Sequence, residues 1–224
     1  VLDGREIGSV SAQALLEALI GTKANARARG LVIHSLLGHS PEIVTELARS
    51  IGFACSVFWV HDFFSLCPNY TLLRNRISFC GAPRLGSNAC EVCVFGAERA
   101  QHMERIEKLF SEIDFEVVAP SQAAADFWQS ATGRANDSCR VVPHLELVDA
   151  GSLAPRAAAD TADPIRIAFL GYPGFHKGWL LFTRLAAELK KDKRYRFYYF
   201  GVDRPSHSNI RFVRVQTTQS EPEA

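Results

Sequence analysis

The stretch Ala54-Cys55-Ser56-Val57-Phe58-Trp59-Val60-His61-Asp62-Phe63-Phe64-Ser65-Leu66-Cys67-Pro68 decides how this chain is read. Its first seven residues are small, β-branched or aromatic, as a buried strand requires, and the run stops on an imidazole beside a carboxylate. Open α/β sheets bind ligands where strands run out into loops at their carboxyl edge, so this strand delivers His61 and Asp62 to a candidate site. Upstream, 41–50 reads as a helix with Ser40 as N-cap, Pro41 at its first position and Gly52 as its stop. Before that lie a strand at 31–34 and a helix over 11–20, capped by Ser11 and ended near Gly21. Strand, helix, strand is the unit of a parallel sheet covered by helices.

Downstream comes a loop of about thirty residues, 61–93, a length that compact domains tolerate when the segment is functional or internally stapled. It holds Cys67, Cys80, Cys90 and Cys93, four of the six cysteines, spaced C-x12-C-x9-C-x2-C. The C-x2-C end can present two thiolates to a tetrahedral ion, and the other two would complete a structural zinc site. Disulfides and reduced thiols compete with that reading, and a cytoplasmic setting disfavours disulfides. Cys55 and Cys139 read as small core hydrophobes. Met103, Ile106, Leu109, Phe110 and Ile113 then recur at helical spacing, which predicts a helix over 98–112. A strand at 115–118, a helix from the Ser121 cap through 131 and a strand at 140–142 follow.

From 148 to 164 the sequence turns to Ala, Asp, Gly and Pro without periodicity, as a linker does between domains at 1–147 and 165–224. The second domain restarts the same grammar: strand 165–170, a glycine-bearing turn at 171–177, helix 178–190, strand 195–200. Lys and Arg total 25 against 24 acidic residues, so no charge excess points to nucleic acid. Apolar runs such as 31–33 and 55–60 fall far short of the roughly 20 residues a bilayer span needs. No signal peptide is evident, and the expectation is a cytoplasmic protein with, at most, peripheral membrane contact.

The His61-Asp62 strand end, Val118-Ala119-Pro120-Ser121, Val141-Val142-Pro143-His144 and Ile167-Ala168-Phe169-Leu170-Gly171 with His176-Lys177-Gly178-Trp179 stand in an order that resembles the family 4 glycosyltransferases of the GT-B fold. The resemblance covers about 31 to 201. It implies an α/β protein with most of one Rossmann-like domain and the beginning of a second, cut from a longer chain at both ends, with the ligand between the two. It implies transfer of a sugar from a nucleoside diphosphate sugar to a hydroxyl of a glycan or lipid-linked acceptor, with retention and without a catalytic metal. The family's His-Asp near the donor sugar matches His61 and Asp62. Its diphosphate site matches the turn from Gly171 to Gly178, with Lys177 as the point charge at a helix start.

The chain departs from the pattern where the family places Arg after the first glycine, because Tyr172 stands there, leaving the second cation to come from elsewhere. The family's Glu-x7-Glu pair is not matched: Glu104 and Glu112 have the spacing but belong to the first-half helix, where a solvated face explains them. A catalytically silent module that binds a partner through the cysteine loop is the alternative. A nicotinamide oxidoreductase would need Gly-x-Gly-x-x-Gly after a strand, which neither domain has. His34 reads as a buried, hydrogen-bonded histidine, His144 as a candidate ligand-facing one, and Trp59, Trp128 and Trp179 as core or interface aromatics.

Overall fold

The computed structural model describes residues 8–22, 28–134, 139–144, 163–207 and 209–215. The chain divides into two compact units, Val1–Glu146 and Leu147–Ala224. The linker read at 148–164 lies outside the described residues except for its last two.

The first unit is built on four parallel strands, β1 (Gly30–Ile33), β2 (Cys55–Trp59), β5 (Glu116–Ala119) and β6 (Cys139–Val141), in the order β1-β2-β5-β6. Spatial order follows chain order, so right-handed crossovers bring the connecting helices to one face. These are α2 (Pro41–Ile51), α4 (Gly96–Glu112) and α5 (Gln122–Thr132), with α1 (Ala12–Gly21) packed beside α2. The register pairs Ile33 with Phe58 and Phe58 with Val117. Those side chains, with Val60, Ile106, Leu109, Ala125 and Trp128, form the core between sheet and helices.

Local chemistry explains the helix ends. Ser11 and Ser121 accept from the N–H groups of Ala14 and Ala124 at 3.1 and 3.2 Å, each satisfying one otherwise unpaired first-turn donor. Gly52 and Gly133 end α2 and α5 in the left-handed conformation that suits glycine. Ser40 holds the N-cap position of α2, yet its hydroxyl donates to Glu42 instead of capping. Glu42 is also gripped by Arg105 from α4, which holds its carboxyl well below the usual carboxylate range.

The long loop is not structureless. It contains a short antiparallel hairpin, β3 (Leu73–Arg74) with β4 (Ser78–Phe79), and a single helical turn, α3 (Asn88–Glu91). Among its described residues, the second unit has three parallel strands, β7 (Ile165–Leu170), β8 (Tyr195–Gly201) and β9 (Arg211–Arg214), and one α-helix, α6 (Trp179–Glu188). Its core is Phe182 and Ala186 of α6 against Phe197, Tyr199 and Ile210. The strand β9 lies beyond the strand-helix-strand expected from sequence. No helix among the described residues is long and apolar enough to cross a membrane.

Candidate functional site

The histidines and the carboxylate singled out in the first half sit just past the carboxyl ends of parallel strands. His34 and Ser35 follow β1, His61 and Asp62 follow β2, and His144 follows β6. Side chains alternate along a strand, so with Phe58 and Val60 turned into the core, Trp59 and His61 project from the opposite face. There four rings stack: Trp59 on His61 at 4.9 Å and 3°, His61 on His144 at 4.7 Å, and His34 on His61 at 5.2 Å. His34 is exposed, contrary to the buried position expected of it. Its hydrogen bond is real: His34 Nδ1 and His61 Nε2 are 2.9 Å apart.

One nitrogen of that pair must donate while the other accepts, so a proton on both at once is disfavoured. The electrostatics agree. Desolvation pushes the His61 pKa below its ordinary value, the neighbouring His144 and His34 push it further, and Asp62 opposes them.

Asp62 is tied into the fold through both of its oxygens. Its Oδ2 accepts from the Ser35 hydroxyl at 2.7 Å and its Oδ1 from the Phe64 N–H at 2.9 Å, while Ser35 Oγ accepts from the Leu37 N–H at 3.1 Å. The carboxylate latches the loop after β1 to the loop after β2, and His61 takes its orientation from His34 and the ring stack. Trp59, read as a core or interface aromatic, belongs to this shelf; only the alternation of the strand could have placed it there.

Cys67, Cys80, Cys90 at the end of α3 and Cys93 just after it line one small cavity, and none is in a disulfide. Burial pushes the Cys67 thiol up. Among the described residues, no group of three or more His, Cys, Asp or Glu is arranged to hold a metal ion. Arg99, buried on α4, donates to Leu66 O at 3.0 Å, Pro83 O at 2.6 Å and Cys90 Sγ at 2.9 Å. His102, one turn on, hydrogen-bonds Phe64 O at 2.5 Å, so its Nε2 donates, and burial lowers its pKa. The sequence does show a signal for both: a charged and a polar residue in the apolar stripe that continues through Ile106 and Leu109. Cys55, expected in the core, is exposed, and Cys139 is only half-buried against it.

In the second unit, Gly171 takes a left-handed φ of 86° directly after β7, and Gly178 one of 82° at the start of α6. Between them Phe175–Lys177 makes a 3-10 turn, closed by the Lys177 and Gly178 N–H groups on Gly174 O and Phe175 O. No side chain caps α6, and the Trp179 N–H at its start donates to Gly174 O at 3.4 Å, so the positive end of the helix dipole lies at this turn. Lys177 is exposed beside it. A groove of about 580 Å³ opens at the carboxyl ends of these strands, lined by Gly171, Tyr172, Gly201, Asp203, Arg204 and Val215 among others. Its size suits a nucleotide-sized ligand. Lys177 does not line it, whereas Arg204, which the sequence reading did not single out, does. Compared with known proteins, the chain matches no family model and no curated protein.

Proposed function

We propose that this chain belongs to a retaining glycosyltransferase of GT-B architecture that takes a nucleoside diphosphate sugar as donor and a hydroxyl of a glycan or lipid-linked molecule as acceptor. The observation that carries the reading is the gathering of His34, His61 and His144 beside Trp59 at the carboxyl edge of an all-parallel sheet. Flat rings of this kind offer an apolar face to a sugar, and their nitrogens donate to or accept from its hydroxyls. Asp62, with both oxygens engaged inside the fold, serves as the positioning residue.

The second unit's share is the diphosphate. Negative charge grows on the leaving group in the transition state, and preorganised donors aimed at that charge do most when water is excluded. Lys177 at the uncapped start of α6 meets that need, and Arg204 in the adjoining groove supplies the second cation that Tyr172 withholds. Retention requires no enzymic nucleophile if the acceptor attacks from the face the leaving group departs, within a tight ion pair. The protein then has only to hold the diphosphate and orient the two hydroxyl-bearing partners.

A thermal-shift screen of nucleoside diphosphate sugars should identify one that stabilises the protein. With that donor, Lys177→Ala and Arg204→Ala should each lower turnover by about 10²–10³, and His61→Ala by about 10². Stabilisation by no donor, or turnover unchanged in Lys177→Ala, overturns the reading.

A further inference from the structure

The segment between β2 and α4 folds around its cysteines. Cys80 N–H donates to Leu72 O at 2.9 Å, Cys93 N–H to Cys90 O at 3.0 Å, and Gly96 N–H to Cys93 O at 2.8 Å. The Asn75 side chain then clips the hairpin turn to the stretch around Cys93, its Nδ2 donating to Val92 O at 3.1 Å and its Oδ1 accepting from Val94 N–H at 2.9 Å. These bonds bring residues 26 positions apart in sequence onto one cavity of about 20 Å³, walled by all four thiols. Two arginines, Arg74 and Arg99, line the same cavity, and no carboxylate does. Arg99 is 6% exposed, and its only sulfur contact is the Cys90 thiol among the bonds given above. A buried guanidinium demands an opposite charge, and backbone carbonyls alone do not provide one.

We propose that Cys67, Cys80, Cys90 and Cys93 bind a single zinc(II) ion that holds this loop in shape. Four thiolates around one divalent ion carry a net charge of −2, which Arg74 and Arg99 return to zero. Two disulfides would be neutral and would leave the buried Arg99 guanidinium uncompensated. Four protonated thiols would do the same. The cavity has room for about one water-sized sphere, which suits a lone ion better than a multi-iron cluster. As they stand the sulfurs do not form a closed cage. Binding therefore draws them in to the usual zinc–sulfur distance of about 2.3 Å and releases the four thiol protons to solvent. The ion touches no reacting atom, and the inference is independent of the sugar-transfer reading.

Elemental analysis of the purified full chain tests it, with about one zinc per chain expected. Cys90→Ser and Cys93→Ser should each lose that metal, while Cys55→Ser and Cys139→Ser retain it. Because the first two variants could fail to fold, cobalt(II) exchange into the unmutated chain supplies a second readout. Intense tetrahedral d–d bands together with thiolate-to-cobalt charge-transfer bands are expected. An unmutated chain that holds no metal and gives no such spectrum overturns the proposal. So does an intact mass lower by two hydrogens per bridge, which assigns the cysteines to disulfides, or a coloured chain carrying iron and sulfide.

Discussion

Asp62 shows how a residue can be recognised from sequence while its job is not. Its position after the β2 strand was legible, because a hydrophobic run that ends in His-Asp is a strand delivering polar groups to a loop. What the carboxylate binds was not, since Ser35 lies 27 residues away and only the parallel pairing of β1 with β2 brings it within 2.7 Å. The same limit hid Arg204 and the link between Arg99 and the cysteines. As a latch, Asp62 should be worth more to stability than to ligand affinity. Asp62→Ala removes a charged acceptor from two donors and should cost about 2 kcal/mol in chemical denaturation, with the donor's dissociation constant nearly unchanged. A variant of native stability that has lost the donor would assign Asp62 to the ligand instead.

Helices and long strands were legible nearly to the residue because their punctuation is local: a serine or proline at the start, a left-handed glycine at the end, a 3.6-residue stripe between. Ser121 is the clearest case, since its hydroxyl does what its type and place predict. Replacing it by Ala should destabilise the first unit by about 1 kcal/mol, read as a lower denaturation midpoint without a change in slope. The hairpin of β3 and β4 escaped notice for the opposite reason. Its strands are two residues each, too short to show alternation, and Leu72 before it and Asn75 and Arg76 in its turn take positive φ, where no glycine or proline announces a turn. Ser40 is a milder case: the residue type was right for a cap, but Glu42 captured the hydroxyl.

For the molecule as a whole, the histidines set the response to acid. His61 and His102 both titrate below their ordinary value of 6.5, chiefly through desolvation. The unfolded chain therefore takes up protons first as the pH falls through 6.5, and stability drops with it. The melting temperature should decline from about pH 7 toward pH 5 and be flat with respect to these groups above that range. His102→Gln keeps a donor toward Phe64 O and removes one titrating ring, so its profile should be shallower on the acid side. A melting temperature that rises on acidification would contradict the assignment.

The near-parallel contact of Trp59 with His61, 4.9 Å between ring centres, gives the chain a built-in optical gauge. An excited indole loses an electron readily to an imidazolium and poorly to a neutral imidazole. Emission from Trp59 should therefore dim as His61 gains its proton, and a molecule that slips between or over these rings should change that brightness without any attached dye.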